Sequence, residues 1–186
     1  MAHNEKIGTD PRAVDVRVLC RNAGTIEGDW PLAAMTRLAT SLHGVPDTAA
    51  TWAAHGAARP VAGGEPEHWL HLQAQAVVPL QCQRCLQTYA HTLQVDRRYL
   101  FVAHEKQAEQ LDEELEDDVL VMPARLNMAE LLEDELILAL PLVPRHENSC
   151  PQPLPLPPDD LEETAPANPF AALAALRGRK GEEPGT

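Results

Sequence analysis

The chain contains few aromatic residues and few positive charges. Only three tryptophans, two tyrosines and two phenylalanines occur among its 186 residues. This scarcity argues against the broad stacking surface that proteins binding single-stranded nucleic acid use. Fifteen lysines and arginines stand against 28 acidic residues, which gives a formal net charge of -13 at pH 7. Because the average field repels phosphate, we expect any RNA role to depend on a local patch or a protein partner, with direct RNA contact left open.

Long apolar runs and a disulfide framework are also missing. No segment approaches the roughly 20 apolar residues that span a bilayer, and the N-terminal residues show no signal-peptide pattern. We therefore expect a cytoplasmic protein that makes no membrane contact. The four cysteines, Cys20, Cys82, Cys85 and Cys150, are too few and too unevenly spaced for a disulfide scaffold, and we interpret them as thiols.

The common sequence motifs of catalytic sites are not found. There is no H-E-x-x-H pair, no glycine-rich phosphate loop and no G-x-S-x-G. Helical spacing is expected to place most of the acidic residues at 130, 133, 134 and 135 on an outer face, as solubilising charge. The acidic run 112–118 lacks the central glycine of a calcium loop. These features predict that the protein is not an enzyme and has no small-molecule substrate.

Two segments predict helices. Residues 31–42 place Leu32, Met35 and Leu38 on one face, with Pro31 in the first turn and Gly44 as the stop. Residues 128–139 carry a second apolar stripe, for which Asn127 is a suitable N-cap. Each helix has only one apolar stripe to bury, so both are expected to pack on a sheet.

Alternating apolar residues predict the strands of that sheet. Valines at positions 14, 16 and 18, followed by Cys20, favour a first strand over about 13–21. A glycine pair at 63–64 predicts a hairpin connection before the long strand 68–81. The alternation resumes over 86–103, which indicates an antiparallel pair reversing at Cys82-Gln83-Arg84-Cys85. The fold class expected is α+β, an antiparallel β-sheet packed with two or three helices.

The domain is expected to occupy residues 1–150 and to include an acidic, solvated loop at about 104–118. Residues 151–186 are rich in proline and predict a disordered, flexible tail. Within it, 168–180 resemble a short docking helix, whose apolar edge Phe170, Leu173 and Leu176 is the candidate partner-binding surface.

The cysteine pair is the candidate metal site. Cys82 and Cys85 share one tight turn, and a structural zinc ion needs two further ligands. His146 and Cys150 follow the second helix and supply the compact remaining pair, which would make a Cys3His zinc site. Two alternatives remain open: ordinary reduced cysteines, and a redox dithiol, although no helix N-terminus or thioredoxin-like alternation of elements supports the latter.

Three blocks of sequence together resemble the YceD family, which is linked to accumulation of large-subunit ribosomal RNA. They are VPLQCQRCLQTY at 78–89, LLEDELILALPLVPRHENSC at 131–150 after the acidic stretch, and NPFAALAALR at 168–177. The resemblance implies a role in the synthesis, processing or stability of 23S ribosomal RNA, and supplies no catalytic residue. An acidic accessory protein would act by binding ribosomal proteins, pre-ribosomal particles or RNA-processing factors. The alternative is a zinc-stabilised or redox-responsive regulator that uses Cys82 and Cys85.

Overall fold

The computed structural model describes residues 10–44 and 46–151. Within them, five strands form one sheet in the order β1-β2-β3-β4-β5: β1 Thr25–Pro31, β2 Ala49–Arg59, β3 Glu67–Gln81, β4 Thr88–Val102 and β5 Asp118–Val121. The first four strands are antiparallel, and β5 runs parallel to β4. The helices are α1 Val16–Arg21, α2 Thr36–Ala39, α3 Glu105–Asp112 and α4 Met128–Leu138. The α+β class is confirmed, with a sheet that is mixed because of β5.

The long hairpin β3–β4 dominates the sheet and was predicted from its alternation. The strands pair in register from His68 opposite Phe101 to Gln81 opposite Thr88. The alternating apolar residues of β3, which share one face of the strand, are all buried: Leu70, Leu72, Ala74, Ala76, Val78 and Leu80. This long register fixes where the chain reverses, and so places both cysteines of the turn at one end of the domain.

Helices α1, α2 and α4 cover that buried face. Their apolar side chains join the strands in one core cluster that includes Leu19, Leu38 and Leu132. Helix α1 lies so close to β2 that a Cβ added at Gly56 would stand 2.8 Å from the backbone nitrogen of Cys20. Only glycine fits this position without displacing the helix.

The first predicted strand is wrong, because residues 16–21 form helix α1. Asp15 caps it, with its carboxylate accepting a hydrogen bond from the Val18 backbone N–H at 3.1 Å. The buried residues Val16, Leu19 and Cys20 follow helical spacing, while Val18 is 36% exposed. The alternation of valines therefore wrongly indicated a strand, and the capping aspartate was the better indication of a helix.

The predicted helix over 31–42 is broken into shorter pieces. Pro31 ends β1 and does not begin a helix, and Leu32–Ala34 form a 3₁₀ turn before the four-residue α2. The predicted apolar stripe is nevertheless inside, since Leu32, Met35 and Leu38 are all buried. The sequence thus indicated the buried side chains better than the backbone conformation.

The prediction that most of the four acidic residues of α4 lie on its outer face is wrong, because two of them are buried. Glu133 is 9% exposed and accepts hydrogen bonds from the backbone N–H groups of Arg37 and Leu38 at 2.7 and 3.1 Å. Glu135 is 7% exposed and pairs with Arg97 of β4 at 3.4 Å. Two carboxylates therefore join α4 to α2 and to the sheet.

Helix α4 itself was predicted correctly. It spans Met128–Leu138, and the Asn127 side chain accepts a hydrogen bond from the Ala129 N–H at 3.1 Å, as an N-cap does. Its buried apolar side chains are Met128, Leu132 and Leu136. The helix ends before Pro141, leaving the following segment to return toward the hairpin.

The acidic stretch 104–118 was predicted as a loop, but it contains helix α3. The helix packs on the opposite face of the sheet, where its Ala108 joins Trp69, Leu100 and Val119 in a second small core. Most acidic residues of the stretch remain exposed, so the expectation of solvation was sound. Ala108 and the partly buried Leu111 are the apolar side chains that pack the helix against the sheet.

Candidate metal centre

The turn between β3 and β4, which we call the knuckle turn (residues 82–87), presents two buried cysteines. Its ends are closed by a hydrogen bond from the Cys82 N–H to the Gln87 carbonyl at 2.9 Å. A second bond, from the Leu86 N–H to the Cys82 carbonyl, also measures 2.9 Å. Leu86 adopts a left-handed conformation with φ 60°, which is unusual for a residue with a side chain. The tight reversal directs the thiols of Cys82 and Cys85 inward, where both are buried.

The segment that follows α4 runs back over the knuckle turn. The Gln83 N–H donates a hydrogen bond to the Pro144 carbonyl at 2.8 Å, which joins the two pieces of backbone. Two residues further on, the His146 ring lies against the Tyr89 ring with centroids 5.0 Å apart. These contacts bring His146 and then Cys150 to the cysteine pair.

The four residues predicted as a site converge in the structure. One ligand atom from each of Cys82, Cys85, His146 and Cys150 lies within 4.8 Å of every other. The sulfur atoms of Cys82 and Cys150 are 3.9 Å apart, and the Cys85 sulfur lies 3.6 Å from His146 Nδ1. These residues form a cluster that could hold a metal ion.

The distances fit a tetrahedral zinc site. With zinc–sulfur bonds of about 2.3 Å and zinc–nitrogen bonds of about 2.0 Å at tetrahedral angles, two sulfurs are separated by about 3.8 Å, and a sulfur and a nitrogen by about 3.5 Å. The observed Cys82–Cys150 sulfur separation of 3.9 Å and Cys85 sulfur–His146 nitrogen separation of 3.6 Å agree with these edges. Three thiols and one imidazole are also the donor types that zinc prefers in structural sites.

Backbone N–H groups favour the thiolate of Cys82. Burial opposes ionisation, but hydrogen bonds from the N–H groups of Arg84, His146 and Cys85 outweigh it and lower the pKa of Cys82 to about 5. The Arg84 N–H lies 3.4 Å from the sulfur. This arrangement supports a metal ligand, since the thiolate is the coordinating form of cysteine.

The pKa of Cys150 is shifted in the opposite direction from that of Cys82. Burial, together with the neighbouring thiols of Cys85 and Cys82, raises the pKa of Cys150 to about 11. Several thiolates repel one another in so small a volume, and a divalent cation among them would offset that repulsion. The crowding of sulfur atoms is thus a second feature that suits a metal ion.

Sequence reasoning identified the four clustered residues but missed what positions them. Tyr89 falls within the predicted strand 86–103 and was not predicted to contact the site, although its ring lies against that of His146. No local pattern pointed to that contact, because it joins segments about 60 residues apart. Cys20 stays outside the cluster, buried on α1 with its thiol 3.2 Å from the Trp69 carbonyl. The predicted partner-binding residues Phe170, Leu173 and Leu176, like the rest of the predicted tail from residue 152 on, lie outside the described residues.

None of the helices in the described ranges is long and apolar enough to cross a membrane. The face of the sheet opposite the main core carries polar and charged side chains, among which His71 pairs with Asp96 at 2.6 Å.

Comparison with known proteins identifies the family. The family model described as "Large ribosomal RNA subunit accumulation protein YceD" matches residues 70–177, more than half of the chain. A protein of Haemophilus influenzae named "Large ribosomal RNA subunit accumulation protein YceD" is 38% identical over 111 residues. That alignment covers 56% of this chain and 63% of the relative, so the match spans less than two thirds of the relative's length. No solved structure matches the chain.

The matched region contains the knuckle turn, the acidic stretch, α4 and the segment carrying His146 and Cys150. It therefore includes all four residues of the cluster and the strands and helix that position them. The chain belongs to the YceD family.

Proposed function

We propose that this chain promotes the accumulation of large-subunit ribosomal RNA as a cytoplasmic binding factor and not as an enzyme. The family to which it belongs is named for that accumulation. The formal net charge of -13 favours contact with basic ribosomal proteins or processing factors over direct contact with RNA. The protein would bind ribosomal proteins or pre-ribosomal particles and thereby support the synthesis, processing or stability of 23S ribosomal RNA.

A structural zinc ion held by Cys82, Cys85, His146 and Cys150 is part of this proposal. The observation that carries it is the convergence of the four ligand atoms within 4.8 Å. Four protein ligands would fill a tetrahedral zinc, leaving no open position for substrate or water. Such an ion would fasten the knuckle turn to the segment after α4, so its role would be to hold a binding surface.

The function is tested in cells that lack the gene. We expect the wild-type chain to restore the ratio of 23S to 16S ribosomal RNA, and the Cys82→Ser, Cys85→Ser variant to restore it poorly. Cys20→Ser is the matched control, because it removes a thiol that lies outside the cluster. An unchanged ratio in the deletion strain would contradict the proposed role in ribosomal RNA. Full rescue by the double variant would contradict the role of the metal.

One observation favours a redox-responsive regulator as the second candidate. The sulfurs of Cys82 and Cys150 are 3.9 Å apart, close enough for a small movement to join them when a peroxide takes up the two electrons and two protons of the thiols. This candidate requires a Cys82–Cys150 disulfide in cells exposed to peroxide. Thiol-trapping mass spectrometry that finds both cysteines reduced after such exposure would exclude it.

A further inference from the structure

Four exposed residues surround the point where the two segments of the cluster meet. The hydrogen bond from Gln83 N–H to the Pro144 carbonyl lies within one residue of Arg84 on one side, and of Val143 and Arg145 on the other. Leu142 precedes them. We call Arg84, Leu142, Val143 and Arg145 the knuckle-end patch.

The apolar members of this patch are unusually exposed. Leu142 is 102% exposed and Val143 60%, and Leu138, one turn earlier at the end of α4, is 70% exposed. Single exposed apolar residues are common on protein surfaces, but consecutive ones close to each other mark interaction sites more often. The backbone hydrogen bond and the His146–Tyr89 ring contact anchor Pro144 and His146, directly after Leu142 and Val143.

The arginines of the patch have no acidic partner among residues 10–44 and 46–151. Four other arginines of the domain do form ion pairs: Arg37, Arg97, Arg98 and Arg125. Arg84 and Arg145 are both exposed, and the described ion pairs include neither of them. Each of the two joined segments therefore carries one exposed guanidinium group that is free to bind a carboxylate from outside the described residues.

We propose that the knuckle-end patch binds an acidic segment of a partner protein that also carries apolar side chains. Carboxylates would pair with Arg84 and Arg145, and aliphatic side chains would cover Leu142 and Val143. A protein segment fits this surface better than RNA does, because half of the patch is aliphatic, it has no aromatic ring for stacking, and the net charge of -13 repels the phosphate backbone. The inference rests on the proposed function, since it adds to the acidic surface that favours basic proteins a second contact, made by this patch with an acidic segment of the same partner.

The cluster of Cys82, Cys85, His146 and Cys150 determines how close the two arginines of the patch lie to each other. Arg84 lies between the two cysteines of the knuckle turn, and Arg145 precedes His146 directly. The contact of Cys85 with His146 at 3.6 Å therefore holds the two arginines on adjoining pieces of backbone. Loss of the cluster would separate the charges from each other and weaken partner binding, while leaving the sheet in place.

The test is site-specific photo-crosslinking in cells, with benzoylphenylalanine at position 142 of the full chain. The control position is Val18, an apolar residue on α1 that is 36% exposed. We expect position 142, and not position 18, to crosslink to one protein, within a segment of net negative charge that contains apolar residues. Reversing both charges, as Arg84→Glu, Arg145→Glu, should lower the crosslink yield at least tenfold. The matched reversal Arg17→Glu, Arg21→Glu should leave it within twofold.

Four results would overturn the proposal: a crosslink to RNA, to a basic segment, to a second copy of this chain, or a yield at position 142 no higher than at position 18. Two further measurements on the Arg84→Glu, Arg145→Glu variant, its zinc content and its rescue of 23S ribosomal RNA, distinguish failure of the patch proposal from failure of the proposed function. A variant that keeps its zinc and full rescue would refute the patch alone. A deletion strain with normal 23S ribosomal RNA would refute the proposed function.

Discussion

Replacing Glu133 by alanine should destabilise the domain far more than an acidic residue on a helix surface would. One carboxylate oxygen accepts the backbone N–H groups of Arg37 and Leu38 at 2.7 and 3.1 Å. The other lies 3.2 Å from the Arg37 guanidinium. The side chain is only 11% exposed, so water cannot fully replace these contacts.

The magnitude follows from the contacts that are lost. A hydrogen bond to a charged group contributes about 1.5–3 kcal/mol, and removing one partner of a buried pair costs about 3–5 kcal/mol. The Arg37 side chain is 51% exposed, which screens its share of the interaction. We therefore expect Glu133→Ala to lower the free energy of unfolding by about 3 kcal/mol. In a domain of this size that is a fall of about 6–12 °C in Tm.

The assay is urea unfolding followed by tryptophan fluorescence, with Asp134→Asn as the control. Asp134 also pairs with Arg37, but its side chain is 50% exposed. Its loss should therefore cost less than about 1 kcal/mol. Glu133→Gln keeps an acceptor oxygen for the backbone and should fall between the two. Equal effects of Glu133→Ala and Asp134→Asn would refute the argument that Glu133 holds α2 to α4.

Three further outcomes test the fold and the knuckle turn. Gly56→Ala should lower the free energy of unfolding by about 1–3 kcal/mol, because its Cβ would stand 2.8 Å from the backbone of α1. In the control Gly28→Ala, the added Cβ has no neighbour nearer than 3.6 Å, so the free energy of unfolding in urea should change less. Asp15→Ala should cost about 1 kcal/mol at pH 7. The hydrogen bond from the Val18 N–H lowers the pKa of Asp15, so its contribution is present above the unfolded value of about 3.9 and is lost as pH falls through the folded value. Unfolding curves of wild type and variant that converge in acid would show this. Leu86→Asn should raise stability by up to about 1 kcal/mol, measured with zinc present, because asparagine tolerates the φ of 60° better than leucine.

The parts of the fold that repeat a pattern over many residues could be predicted from sequence. The alternation in β3 extends over 15 residues, and the apolar stripe of α4 over three turns, so single exceptions did not obscure either. The segment containing Val14, Val16 and Val18 is too short for that. There, one capping aspartate and the contact of α1 with Gly56 decide the conformation, and the second of these depends on distant residues.

The four residues of the cluster could be predicted for a different reason. Cys82 and Cys85 lie on one turn, and His146 and Cys150 form a compact second pair, so few other combinations of these residue types were available. The burial of Glu133 could not be predicted from the sequence of α4. It depends on the position of α2, whose backbone N–H groups the carboxylate meets about 95 residues away in the chain.

The most direct test of the account is native mass spectrometry of the full-length chain after addition of one equivalent of zinc. The geometry of Cys82, Cys85, His146 and Cys150 predicts that the wild type retains one zinc ion per chain and that Cys82→Ser, Cys85→Ser retains none. Cys20→Ser should retain one, as the wild type does. A folded wild-type chain that retains no zinc, or a double variant that retains as much as the wild type, would contradict the account.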